Sequence, residues 1–302
     1  MHSELARFGE EQTGNGKPMK NPASTLRALA VVLLCQAGLA FAQSPAETAE
    51  AGKNADGFFV HSIRSEYQPG ETSIRVLLPD RLQENRHYPV LYVLPVEAGN
   101  ETRWGDGLVE VGKHDLANQY GLICVEPTFA QLPWYADHPT DPAIRQESYF
   151  VKTVVPLVDR LYPTQAEPEG RLLLGFSKSG WGGFSLLLRH PDTFGKAAAW
   201  DAPLMMDRPG RYGSGPIFGS EENFVKYEVA ALLRRDAAQF QESDRLIHFG
   251  YGNFREHHQA AHRLMEELGI RQTYRDGPQR EHSWHSGWLP EAVEMLLADE
   301  KR

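Results

Sequence analysis

Residues Leu172–Gly183 read LLLGFSKSGWGG. An apolar run stops at Gly175, serines stand at 177 and 179, and a glycine-rich apolar segment resumes at Gly180. That order predicts a strand, a sharp turn and a helix, the local form that lifts a nucleophilic serine clear of the backbone. So tight a turn demands small residues two before and two after the nucleophile. Ser177 meets the demand with Gly175 and Ser179, whereas Ser179 would have Ser177 and Trp181 as its neighbours, and an indole does not fit. Ser177 is therefore the candidate nucleophile and Ser179 a spacer. Gly180, Gly182 and Gly183 would let the helix approach the sheet closely. A phosphate-binding loop would need Lys-Ser or Lys-Thr directly after its second glycine, and Trp181 follows Gly180 instead.

Working outward, FFVHSIR (58–64) and TSIRVLLP (72–79) flank the turn signal YQPGE and predict an antiparallel pair. YPVLYVLP (88–95) and GLICVEP (121–127) are almost unbroken apolar runs, as expected of strands buried on both faces. Val151, Val154, Val155, Val158 and Leu161 recur at helical spacing, which predicts a helix over Glu147–Leu161 kinked at Pro156. After the opening motif come a strand at KAAAWD (196–201), a Pro/Gly-rich insertion over Pro203–Ser220 and a helix over Glu221–Asp236. A strand at RLIHFGYG (245–252), a helix over Arg255–Leu268, a strand at IRQTYRDG (270–277) and a helix over Trp288–Ala298 complete the series. Such alternation builds a mostly parallel sheet with helices on both faces, here led by antiparallel strands.

The chain of 302 residues is long enough for a large core. Lys20 and Arg27 precede the apolar run ALAVVLLCQAGLAFA (28–42), which ends in small residues, the pattern of a secretory signal peptide cleaved after Ala42. The run is short for a membrane span, which takes roughly 20 residues. Met19 is then a plausible true start. The reading is a signal region over 1–42, a flexible lead-in over 43–56, a catalytic domain over 57–302, and an exported, periplasmic or secreted, protein without membrane insertion. Without residues 1–42 the chain holds 27 basic and 37 acidic residues, a balance that argues against nucleic acid as a partner. Cys124 alone would remain, so no intramolecular disulfide can form, and its apolar surroundings predict a core thiol.

Taken together, PGETSIRVLLPDRLQENRHYPVLYVLP (69–95), GFSKSGWGG (175–183), RHPDTFGKAAAWDAPL (189–204) and REHSW (280–284) resemble the serine esterases related to esterase D, S-formylglutathione hydrolase and single-domain feruloyl esterases. The resemblance runs from about Tyr67 to Leu297. It implies an α/β-hydrolase fold and a carboxylesterase acting through an acyl-enzyme on Ser177. It implies no cofactor, and a small-molecule or carbohydrate-linked ester as substrate. A serine peptidase of the same fold, or a catalytically silent binding protein, are the other readings. The silent one draws on Asn253 and on Ser179 where the family has a second glycine.

Within this resemblance the general base is a late histidine, and EHSWHSGW offers His282, placed before an aromatic residue as in the family, and then His285. The acid is less settled. At the family's usual place, in GYGNFREHH, stands Asn253, with Glu256 three residues on. Asparagine can orient an imidazole but cannot stabilise its cation. Some members of the fold take the acid from the end of the earlier strand, which makes Asp201 the first choice, with Glu256 and Asn253 as alternatives. The oxyanion hole needs two backbone N–H groups, one from Lys178 and one from Val96 or Glu97. The Lys178 side chain is expected to face solvent or the substrate mouth. His258 and His262 have a helical spacing that can bind zinc, but with no His-Glu-x-x-His they, with His257, read as a wet helix face, and no metal is expected. Trp104, Trp134, Tyr135 and Trp181 would either line a substrate pocket or pack the loops.

Overall fold

A computed structural model describes residues 47–48 and 52–298. Ten strands form one sheet: β1 (Glu47–Thr48), β2 (Gly52–Lys53), β3 (Phe59–Arg64), β4 (Glu71–Leu77), β5 (Val90–Leu94), β6 (Ile123–Pro127), β7 (Arg171–Phe176), β8 (Lys196–Trp200), β9 (Leu246–Phe249) and β10 (Gln272–Arg275). Their order is β1-β3-β4-β6-β5-β7-β8-β9-β10, with β2 also on β3. Strands β5 to β10 run parallel, and β1 to β4 are antiparallel additions at one edge. The segment over 1–42 expected to be a signal lies outside the described residues. Part of the expected lead-in does take a place in the sheet, as β1 and β2.

The unbroken apolar strands are explained by two cores. Along β5, Val90, Tyr92 and Leu94 enter one core while Leu91 and Val93 enter the other, so no position is left to face water. Helices α1 (Gly107–Lys113), α2 (Leu116–Tyr120) and, at the far end of the chain, the closing helix Leu289–Leu297 cover one face. The other face is covered by α3 (Gln146–Tyr149), α4 (Val155–Leu161), α5 (Lys178–Arg189), α6 (Gly215–Phe218), α7 (Glu221–Val225), α8 (Val229–Asp236) and α9 (Arg255–Glu267); the closing helix is α10. Cys124 is fully buried, and burial pushes its thiol well above the usual value.

Two departures from the sequence reading have local causes. The irregularity expected at Pro156 takes the form of a π-helical turn, Phe150–Val154, between α3 and α4. Proline has no N–H to give and crowds the carbonyl one turn back, and the wider turn absorbs both. The helix expected over Glu221–Asp236 is two helices. The first is capped by the Ser220 hydroxyl on the Asn223 N–H at 3.1 Å.

The parallel order decides where chemistry can sit. The carboxyl ends of β5, β7 and β8 are neighbours, and the loop from β10 to α10 returns over them. Loops at the carboxyl ends of parallel strands are where open α/β sheets build their sites.

Candidate active site

Ser177 follows β7 directly and precedes α5, with φ 55° and ψ −128°. Few non-glycine residues hold such a backbone, and the surroundings show what holds it here. The Ser177 N–H bonds the Trp200 carbonyl at 3.0 Å, and the Ser177 carbonyl accepts from Gly180 and Trp181 N–H groups at 3.1 and 3.2 Å. A Cβ on Gly175 would overlap the Ser179 carbonyl, and one on Gly180 would come 2.9 Å from the Ala202 Cβ. Ser179 is more than a spacer. Fully buried, its hydroxyl accepts from the Phe176 N–H at 3.0 Å and donates to the Phe176 carbonyl at 2.8 Å, closing the turn from within.

The His282 Nε2 lies 3.1 Å from the Ser177 hydroxyl, and its Nδ1 lies 2.5 Å from an oxygen of Asp201. A carboxylate only accepts, so the ring carries its proton on Nδ1 and turns a lone pair toward the serine. The imidazole is held among aromatic rings, 4.5 Å from Phe176, 5.1 Å from Trp104 and 5.8 Å from Phe254 between centroids. Below it Phe176 stacks on Trp200, and Trp200 on Trp288 at an interplanar angle of 8°. Trp104 also accepts through its carbonyl from the Trp284 N–H and the Ser283 hydroxyl, fixing the histidine loop.

Asp201 directly follows β8, has a positive φ of 41° and is completely buried. One of its oxygens serves His282 and the other accepts from the Phe254 N–H at 2.5 Å. Gly252 is obligatory beside it, because a Cβ there would overlap the carboxylate. The other candidate residues lie elsewhere. Glu256 is exposed in the first turn of α9, and Asn253 is exposed with its side-chain oxygen toward Gln279. His285 is exposed and bonds Glu110 at 2.8 Å.

The Lys178 side chain corrects the sequence reading. It faces neither solvent nor a substrate mouth: its ammonium donates to the Val96 carbonyl at 2.8 Å and lies 3.7 Å from Glu97, with both residues buried. The loop carrying Val96 and Glu97 is thereby brought against the elbow. Trp134, Tyr135 and Trp181 are core residues, with Trp134 set edge-on to Trp181 at 5.4 Å.

Histidines on α9 also serve the acid loop. The Ala202 N–H donates to His258 Nε2 at 2.8 Å, which places the His258 proton on Nδ1, 3.1 Å from His248 Nδ1. His248 then donates through Nε2 to the Gln272 side-chain oxygen at 2.7 Å. The expected wet face is in fact buried at His258. Among the described residues no group of three potential ligands could hold a metal ion. Burial lowers the His248 pKa from 6.5 to about 4 and that of His258 well below its usual value, with the neighbouring histidines adding to the shift. Between these limits the unfolded chain binds protons that the folded one refuses. The pair therefore stabilises fully above pH 6.5, and this contribution fades as pH falls toward about 4. Thermal unfolding is expected to show a Tm that drops across that window, less steeply in a His258→Gln variant. Equal slopes in the two proteins would overturn this.

Comparison with known proteins agrees with this architecture. Solved structures similar to the chain include a ferulic acid esterase, at TM-score 0.64 and 16% identity over 83% of this chain and 96% of that one. An S-formylglutathione hydrolase from Agrobacterium tumefaciens superposes at TM-score 0.65 with 17% identity, covering 83% and 98%. These likenesses show the α/β-hydrolase fold. In sequence, Esterase Rv1288 of Mycobacterium tuberculosis is 27% identical over 146 residues, 47% of this chain, and the match spans 31% of that relative's length. The family model named Esterase matches residues 65–273, most of the chain, and the protein belongs to that family.

Proposed function

We propose that the protein is a serine carboxylesterase. The observation that carries this reading is the unbroken line from the Ser177 hydroxyl through His282 to a buried Asp201, at 3.1 and 2.5 Å, on a serine held at positive φ. Ser177 attacks the ester carbonyl and its proton passes to His282 Nε2. The oxyanion so formed is held by the Lys178 N–H, which as the first of its helix has no acceptor within it, and by an N–H of the Val96–Glu97 loop. Collapse breaks the ester C–O bond, and the leaving alkoxide takes the proton from His282. Water then repeats the sequence on the acyl-enzyme and frees the acid. Asp201 stabilises the imidazolium at both stages. General-base help of this kind contributes about 10²- to 10⁴-fold.

The two features that favoured a silent binding protein lose their force. The charge beside the imidazole comes from Asp201, so Asn253 is not needed there, and Ser179 fits the elbow through its own hydrogen bonds. A fluorophosphonate probe tests the reading. Its phosphorus is attacked by an activated serine and fluoride leaves. Trypsin cuts after Arg171 and Lys178, so Ser177 and Ser179 fall on different peptides. The adduct is expected on the peptide Leu172–Lys178. An unlabelled protein, or label on the peptide with Ser179, refutes the assignment.

A further inference from the structure

The loop after β5 is pinned at two consecutive carbonyls. The Tyr135 hydroxyl donates to the Pro95 carbonyl at 2.7 Å, and the Lys178 ammonium donates to the Val96 carbonyl at 2.8 Å. Tyr135 is itself locked in place, since a Cβ on Gly182 of α5 would overlap its ring. The N–H groups of Val96 and Glu97 have no acceptor among the described residues. Because a trans peptide is planar, its N–H points opposite to its C=O. Holding the Val96 carbonyl therefore sets the direction of the Glu97 N–H, and holding the Pro95 carbonyl sets that of Val96.

We propose that the Lys178 side chain is a positioning residue that clamps the Val96–Glu97 peptide, so that the Glu97 N–H serves as the second oxyanion donor. The residue after the nucleophile thus supplies one donor from its backbone and aims the other with its side chain. This deepens the esterase reading of the site and rests on it. The elbow and the loop become one unit, because any shift of α5 against β5 carries both donors. Glu97, 3.7 Å from the ammonium, balances the buried charge. Burial lowers the Lys178 pKa, Glu97 opposes that shift, and Arg103 adds to it. A neutral apolar side chain of the same length would fill the space and leave the Val96 peptide free to rotate.

The test uses p-nitrophenyl acetate as substrate and phenyl trifluoromethyl ketone as an inhibitor that adds to the serine and places an oxyanion in the hole. Loss of one oxyanion donor costs about 10²- to 10³-fold in kcat, and a donor misaimed costs less. Lys178→Met is expected to lower kcat about 10- to 100-fold, to leave KM within about twofold, and to weaken the ketone by the same factor as kcat. Lys178→Met/Glu97→Gln strands no charge, and is the variant to read if the single one fails to fold. It is expected to be as impaired as the single variant. A double variant restored to wild-type kcat shows that the loss came from an uncompensated Glu97 and overturns the clamp. Wild-type kcat and ketone affinity in Lys178→Met, in a protein labelled at Ser177, overturn the clamp alone. A wild type that neither turns over ester nor takes the fluorophosphonate overturns the esterase reading and the clamp with it.

Discussion

Ser177→Ala is expected to lower turnover of an activated ester by about 10⁶-fold and to abolish fluorophosphonate labelling, while leaving the Tm close to that of the wild type. The size follows from the loss of the covalent route. Oriented imidazole, buried carboxylate and oxyanion donors would remain, and in such sites they sustain only about 10³- to 10⁴-fold over water. Stability should hold because the Ser177 hydroxyl contacts only His282 among the hydrogen bonds of the structure, and alanine keeps the same Cβ at the same positive φ. Ser179→Ala is the opposite case. Its hydroxyl closes two hydrogen bonds on Phe176 in a fully buried place, so its removal should cost about 1–3 kcal/mol of stability and spare the labelling. Labelling retained in Ser177→Ala and lost in Ser179→Ala would reverse the choice of nucleophile.

That Ser177 rather than Ser179 faces His282 is legible in the sequence because backbone crowding at the elbow acts within five residues. Gly175 and Ser179 are neighbours of Ser177 in sequence, and steric exclusion of Trp181 needs no knowledge of the rest of the fold. The parallel strands were legible for a similar reason, since burial on both faces leaves an unbroken apolar run. Helices α1 and α2 are not legible in the sequence. Their apolar residues, such as Leu108, Val111 and Leu116, are few and interrupted by glycine and charge, so periodicity over so short a span is weak. The burial of Lys178 is hidden from the sequence because a lysine is usually solvated and its acceptor, the Val96 carbonyl, lies 82 residues away. Separation in sequence likewise hides the role of Gly252, which makes room for the carboxylate of Asp201.

The histidines of α9 show how remote residues decide a local chemical state. His258 reads as surface from its charged neighbours in REHHQ, yet helix α9 turns it inward onto the Ala202 N–H. Phe254, just before the same helix, gives its N–H to Asp201. The acid loop is therefore gripped at two adjacent residues from one element, which holds Asp201 at its positive φ with its carboxyl aimed at His282.

That grip determines what an amide would do in its place. Asp201→Asn is expected to lower kcat by about 10⁴-fold, or about 5 kcal/mol of barrier, with little change in KM. The Phe254 N–H requires an acceptor, so the asparagine oxygen is drawn to that side and its NH₂ is left facing His282 Nδ1. A donor there can be met only by a lone pair on Nδ1. The imidazole must then carry its proton on Nε2, toward the Ser177 hydroxyl, where it can no longer accept one. Geometry would be preserved and the tautomer reversed. Glu256→Gln and Asn253→Asp change exposed side chains away from the imidazole and should leave turnover within about twofold, as substitutions at solvated positions usually do. Full activity in Asp201→Asn together with its loss in Glu256→Gln would move the acid to α9 and undo this account of the triad.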